Sequence, residues 1–360
     1  MRGRGLTMRG MVTAERLAAH HELATSLALL SDAELAELLA TGVPVGTGIG
    51  GRVLYVEVDG RRVFVKRVRL TDTERLPDHA RSTANLFDMP TFCHYGVGSP
   101  GFGAWRELAV HTMTTHWVLA GDFAGFPLTH HWRVLPDEPR PLPDELADVD
   151  RVVAYWGGAA RTRERIEGLG TATASLTLFL EYVPYTLHDW LDARIRTEDA
   201  DTACALVEHG LAEATAFLRA RGLLHFDVHF RNILTDGRRL YLADYGLALS
   251  SRFRLTPAER AFLDRHRDYD RAYATSFFVT WLLVALHGYD RDTREACVRA
   301  SADGARPEGI PAAAADIVAR HAPVAAVMND FLRRFEQESR RTPFPYDELR
   351  ALYDGSTVSG

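Results

Sequence analysis

VGTGIGGRVLYVEVDGRRVFVK, residues Val45 to Lys66, decides how the rest of the chain is read. Its glycines at 46, 48 and 51, with Val53, fit GxGxxGxV, where missing side chains let backbone N–H groups approach phosphate oxygens. Two different folds use this pattern, and the element after the last glycine separates them. A dinucleotide-binding fold would continue into a helix. Here Val53-Leu54-Tyr55-Val56-Glu57-Val58 alternates as a strand, Asp59-Gly60 is a two-residue hairpin signal, and Arg61-Arg62-Val63-Phe64-Val65-Lys66 returns as a second strand. The glycines therefore belong to a β-hairpin flap, and Lys66 points at the place the flap covers.

Composition singles out the same residue. Of forty-two basic side chains, forty-one are arginine and Lys66 is the only lysine. Where every other cation is arginine, the surviving lysine presents a compact ammonium that arginine cannot supply. The forty-eight acidic side chains leave a formal net charge of -6, so neither nucleic acid nor an anionic membrane is expected as a partner. A chain of 360 residues, at roughly 150 per domain, suggests about two domains. Cys93, Cys204 and Cys297 stand alone, without CxxC spacing, which argues against a disulfide framework or a zinc site and for a cytoplasmic location. The start, MRGRGLTMRGM, has no apolar signal core, and Ala272–Leu286 is too short and too polar to span a bilayer; it reads as a buried helix.

Around the hairpin the chain divides into three parts. Residues 1–42 form a helical extension, with Thr13 as a first cap and Ser31-Asp32-Ala33-Glu34 as a capping box. Residues 43–183 are strand-rich, with insertions at 67–103 and 136–172, a helix over Ala104–Val118 and a strand over Ser175–Glu181. Residues 184–360 are mainly helical, at about 186–194, 200–221, 257–287, 312–321 and 323–340, broken by a short hairpin from Asn232 to Ala243. Strands first and helices second make an α+β chain in two lobes.

The second chemical element is His225-Phe226-Asp227-Val228-His229-Phe230-Arg231-Asn232. It puts a carboxylate and a carboxamide at the two ends of one loop: Asp227 to accept the proton of an attacking hydroxyl, and Asn232 to offer a neutral oxygen to Mg²⁺. Asp244, in Ala243-Asp244-Tyr245-Gly246, follows an apolar strand and precedes a glycine that allows a sharp turn, which makes it the natural second metal ligand.

Taken together and in this order, from about 43 to 290, these segments resemble the protein-kinase-like superfamily, which includes protein kinases and aminoglycoside phosphotransferase-like kinases. Gly46, Gly48, Gly51 and Val53 match its nucleotide flap and VFVK its strand lysine. HFDVHFRN resembles the HxDxxxxN catalytic loop, and DYG at 244–246 matches the metal-binding DFG. The resemblance implies a two-lobed fold binding ATP and Mg²⁺. Adenine would lie on the hinge Phe179-Leu180-Glu181-Tyr182-Val183, held through Glu181 and Val183. Lys66 would meet the α- and β-phosphates, with Mg²⁺ on Asn232 and Asp244 and with Asp227 orienting the acceptor hydroxyl. The lysine's glutamate partner is expected at Glu107, forty-one residues on, with Glu74 in reserve.

Phe226 stands where protein kinases carry the arginine that receives an activation-loop phosphate, so a switch of that kind is not expected. His229, as in the HxDxH loop of small-molecule phosphotransferases, favours a hydroxyl-bearing small molecule as acceptor and is expected near the γ-phosphate. The alternatives are a protein serine/threonine kinase and a nucleotide-binding pseudokinase. His266-Arg267-Asp268 imitates a catalytic loop, but position 273 is Tyr rather than Asn; Asp268 or Asp270 could instead brace the loop from beneath. The histidine pairs at 20–21 and 130–131 lack zinc-site spacing, His225 should bond backbone under the loop, and the arginines at 163, 165, 333, 334, 340 and 341 read as solvated helix faces.

Overall fold

The structure is a computed structural model that describes residues 13–96 and 98–356. Helix α1 (Ala14–Leu29) starts where Thr13 accepts the Arg16 N–H, and α2 (Asp32–Ala40) opens on the Ser31–Glu34 capping box. Next come β1 (Val43–Gly48), β2 (Gly51–Val58) and β3 (Arg61–Leu70). Asp59 and Gly60 both take positive φ, 52° and 71°, as a turn that matches strand twist requires. The short α3 (Asp72–Arg75) precedes α4 (Ala104–Leu119) and β4 (Thr129–Pro136). After α5 (Asp144–Ala147), α6 (Val149–Tyr155) and α7 (Ala160–Thr171), β5 (Ala174–Glu181) completes the sheet.

The five strands run antiparallel in the order β1-β2-β3-β5-β4. Side chains alternate across this sheet, so each face has its own core. Val63 and Val65 of β3 join Leu54, Val56, Leu135 and Phe179 under Leu23, Leu27 and Leu35 of α1 and α2. Phe64, Val68 and Leu70 join Leu176, Leu178 and Leu180 against Ala104, Trp105 and Leu108 of α4. Lys66 shares the α4 face. The two N-terminal helices thus roof the back of the sheet and belong to the same compact unit.

Two compact units divide the chain. The first comprises the described residues of 1–89, 97–183 and 241–246; the second comprises those of 90–96, 184–240 and 247–360. The second contains β6 (Tyr185–Thr186), α8 (Leu187–Asp192), α9 (Ala200–Ala220), β7 (Leu223–Leu224) and β8 (Ile233–Thr235). Within β9 (Leu240–Leu242) the chain passes into the first unit, and it is back in the second by β10 (Leu249–Ser250). Then come α10 (Pro257–Arg265), α11 (Tyr269–His287), α12 (Arg291–Ala302), α13 (Ala312–Gln337) and α14 (Tyr346–Ser356), with α11 packed on α13 and α9.

Several expectations are corrected. The single helix expected over 257–287 breaks at His266–Asp268, because the His266 ring is tied to Tyr95 (Tyr Oη to Nε2, 2.5 Å) and to the Phe262 carbonyl (2.6 Å). The pair expected at 312–321 and 323–340 is one helix: Pro323 lies inside α13 between the buried residues Ala322 and Val324. Strand β4 was not expected, nor were α12 and α14. Arg165 is no solvated cation but is buried against Glu74 at 2.7 Å, and Arg333 reaches the buried Glu295 at 2.7 Å. Ala272–Leu286 lies within α11, with Ala272, Phe278, Val279, Leu282 and Leu283 buried. Among the described residues no helix is long and apolar enough to cross a membrane.

Candidate active site

Strand β3 carries Lys66 to the α4 face, where it is 5% exposed. Its Nζ lies 2.7 Å from Glu107 Oε1 and 2.9 Å from Asp244 Oδ1. Burial opposes the ammonium, but the charges of Asp244 and Glu107 overcome that penalty and raise its pKa above the ordinary lysine value, so it stays protonated. Glu107 stands in the first turn of α4 and is itself buried. One turn on, His111 brings Nε2 to 3.9 Å from Glu107 Oε1 and sets its ring edge-on to Tyr245 at 4.8 Å. Asp244 is held at φ 63°, a left-handed conformation that costs a non-glycine residue energy and clusters at functional sites.

Glu74, the reserve candidate, is committed elsewhere. It closes a capping box with Thr71, pairs with Arg165, and accepts the N–H of Ala104, the first residue of α4, at 2.8 Å. The carboxylate therefore sets where α4 begins, and so where Glu107 stands.

The flap is the β1–β2 hairpin, with Gly46 opposite Val53, Gly48 opposite Gly51, and Val53 opposite Lys66 on the next strand. Its glycines differ in role. Gly51 has φ 120°, and a Cβ there would sit 2.3 Å from the Arg67 carbonyl, so no larger residue fits. A Cβ on Gly46 would meet only Val53 at 3.9 Å, and one on Gly48 nothing within 4 Å. Gly50, which the GxGxxG spacing skips, comes nearest the charges: its Cβ would lie 3.1 Å from Lys66 Nζ and 3.4 Å from Asp244 Oδ2. The signal for it was the Gly50-Gly51 doublet at the hairpin tip.

At the end of β5, the Glu181 carboxylate accepts two bonds from Arg16 of α1, each 2.7 Å, and one from the Leu128 N–H at 2.9 Å. Arg16 also bonds the carbonyls of Ala124 and Phe126. The side chain of Glu181 is thus engaged with the N-terminal helix; nothing in the sequence pointed to Arg16. Val183 is buried beside it in the chain.

In the second unit the loop between β7 and β8 holds Asp227, His229 and Asn232. Asn232 Nδ2 donates to Asp227 Oδ2 at 2.8 Å, and His229 Nε2 lies 3.7 Å from Asp227 Oδ1. The Asp227 and His229 side chains remain 27% and 28% exposed. Beneath them the buried Asp270 accepts the N–H groups of His225 (2.7 Å) and Phe226 (2.8 Å), while His225 Nδ1 accepts the Asp227 N–H at 3.3 Å. Of the two candidate braces it is Asp270 that acts; Asp268 pairs with Arg219. Phe226 is held at φ 67° and packs on His94, Tyr95, Phe262 and Tyr269. Segment 90–96, read only as part of an insertion, thus shapes this loop, and a Cβ on Gly96 would lie 3.7 Å from Asp227 Oδ1.

Each unit carries an oxygen of the kind a hard cation takes. In the second, Asn232 spends its amide nitrogen on Asp227 and keeps its carbonyl oxygen to offer; in the first, the Asp244 side chain is 39% exposed although Lys66 holds one of its oxygens. No cluster of three or more His, Cys, Asp or Glu able to hold a metal occurs among the described residues. In comparisons with known proteins, no family model and no curated protein matches the chain.

Proposed function

We propose that the protein is an ATP- and Mg²⁺-dependent phosphotransferase of the protein-kinase-like type, transferring the γ-phosphate to a hydroxyl of a small molecule. The observation that carries this reading is the buried cluster of the chain's only lysine with Glu107 and Asp244, at 2.7 and 2.9 Å, under a glycine hairpin. Phosphoryl transfer needs positioning and charge neutralisation more than covalent chemistry. Lys66 supplies a fixed positive charge for phosphate oxygens, and Glu107 fixes its direction. The hairpin backbone from Gly46 to Gly51 offers N–H groups without side-chain obstruction. A Mg²⁺ held by Asn232 and Asp244 would neutralise phosphate charge.

Asp227, held by Asn232 on one oxygen and 27% exposed, orients the acceptor hydroxyl and takes its proton. His229, close to that carboxylate, supports a compact acceptor over an extended peptide. The test uses the single lysine. An amine-directed ATP-site reagent should label Lys66, as read by mass spectrometry, and ATP·Mg²⁺ should protect it; labelling indifferent to nucleotide overturns the reading. Labelled ATP offered with a hydroxylated-metabolite panel and, separately, with a protein mixture decides the acceptor, with transfer confined to protein marking a serine/threonine kinase.

A further inference from the structure

Arg52 and Arg67 face each other across β2 and β3, one residue along from the Val53–Lys66 pair and therefore on the opposite face of the sheet. There they meet Asp137, just past β4. Its carboxylate receives Arg52 at 3.0 Å, Arg67 at 3.3 Å and Arg140 at 3.3 Å. Three guanidinium charges on one carboxylate leave two positive charges locally unbalanced. The other bonds of Arg67 go to neutral groups, Ser175 Oγ and the Pro136 carbonyl. Arg69, on the same face, bonds the carbonyls of Arg140, Leu169 and Pro141 and adds a further cation. Burial lowers the Arg67 pKa and, against Asp137, so do the like charges of Arg52 and Arg140, as in a cluster short of anions.

Beside these guanidiniums lies a cleft of about 500 Å³. It is lined by Arg52, Arg67 and Leu135 of the sheet and by Ala33, Ala36 and Leu39 of α2. Asp32 at its rim is taken up by Arg133 at 2.6 Å. A concave, mostly apolar space of this size with a few convergent polar groups is what a small ligand requires.

We propose that this cleft binds a small amphiphilic anion: a phosphate or carboxylate head on Arg52 and Arg67, with a short apolar body against α2. The inference stands apart from the phosphotransfer reading, since the lysine lies on the other face. The probe is octyl phosphate, titrated calorimetrically into the full chain with saturating ATP·Mg²⁺ present, so that binding among the residues around Lys66 is competed. One saturable site per chain is expected, weakened at least tenfold by Arg52→Gln. Ala36→Trp, on an exposed position, fills the cleft without entering the core and should have the same effect. Octanol and inorganic phosphate, each carrying half of the ligand, should bind at least tenfold more weakly than octyl phosphate. Binding that is absent at millimolar octyl phosphate, or that survives both substitutions in folded protein, overturns the proposal.

Discussion

In the first unit Lys66, Glu107 and Asp244 close on one another with the lysine almost wholly buried, whereas in the second Asp227 and His229 keep more than a quarter of their side chains in solvent. The first arrangement commits its one ammonium to two carboxylates. The second ties Asp227 to Asn232, anchors its loop by two backbone N–H groups on the buried Asp270, and leaves the Asp227 side chain 27% exposed. The contrast teaches where each set of residues exerts its effect: removing a charge from the closed cluster unbalances the fold, and removing one from the open loop removes chemistry.

The sharpest use of that contrast is Asp227→Ala. We expect phosphotransfer to fall by up to about 10⁴-fold while the denaturant midpoint stays put. Lys66→Met should instead lower stability by about 3–5 kcal/mol, because two carboxylates then face each other without a counter-charge; urea unfolding reads this, and Lys66→Arg should not restore phosphotransfer. If Asp227→Ala destabilised the protein as much as Lys66→Met, the comparison would fail.

A third substitution probes what holds the open loop. Asp270→Ala removes the acceptor for two N–H groups and frees Phe226 from its left-handed conformation, at a cost of about 3 kcal/mol. Asp270→Asn keeps one acceptor oxygen and should recover part of the loss in both stability and transfer rate; equal losses for the two variants would exclude the brace.

The smallest effect concerns pH. Burial lowers the His266 pKa to about 4, so the folded protein keeps this ring neutral where the unfolded chain protonates it near 6.5. The folded value is depressed, so the stabilisation is complete above pH 6.5 and is lost progressively as pH falls toward 4. At pH 5 the loss is about 2 kcal/mol. His266→Phe, which retains the stack on Phe262, should flatten that slope in chemical denaturation between pH 7 and 5. An unchanged slope would show that the ring is not held neutral. His130, lowered to about 3 by burial and by His20, keeps its own acid dependence in either protein.

Much of this was legible because the signals were local. Asp59-Gly60 fixes a hairpin by conformational preference alone, and the capping box at Ser31 fixes a helix start. Glu107 could be named because Ala104–Val118 shows a helical period, although its distance from Lys66 exceeds any local rule. What escaped depends on tertiary contact. Strand β4 carries His130, His131 and Trp132 and lacks clean alternation; its strand character comes from pairing with β5. Helix α12 is mostly polar and is held by Glu295 between Arg291 and Arg333. The break at His266 depends on Tyr95, far away in sequence, and the grip of Arg16 on Glu181 spans 165 residues.

The passage of residues 90–96 into the second unit, and of 241–246 into the first, has a consequence for biosynthesis. While the ribosome is still extending the chain, the sheet-bearing unit lacks the segment after β9 that carries Asp244 until 246 residues have been polymerised. No cut near residue 183 would release either body complete. Nascent-chain maturation must therefore be mutual rather than vectorial, and a chain stalled between the two crossings would leave Glu107 and Lys66 as a pair awaiting their third member.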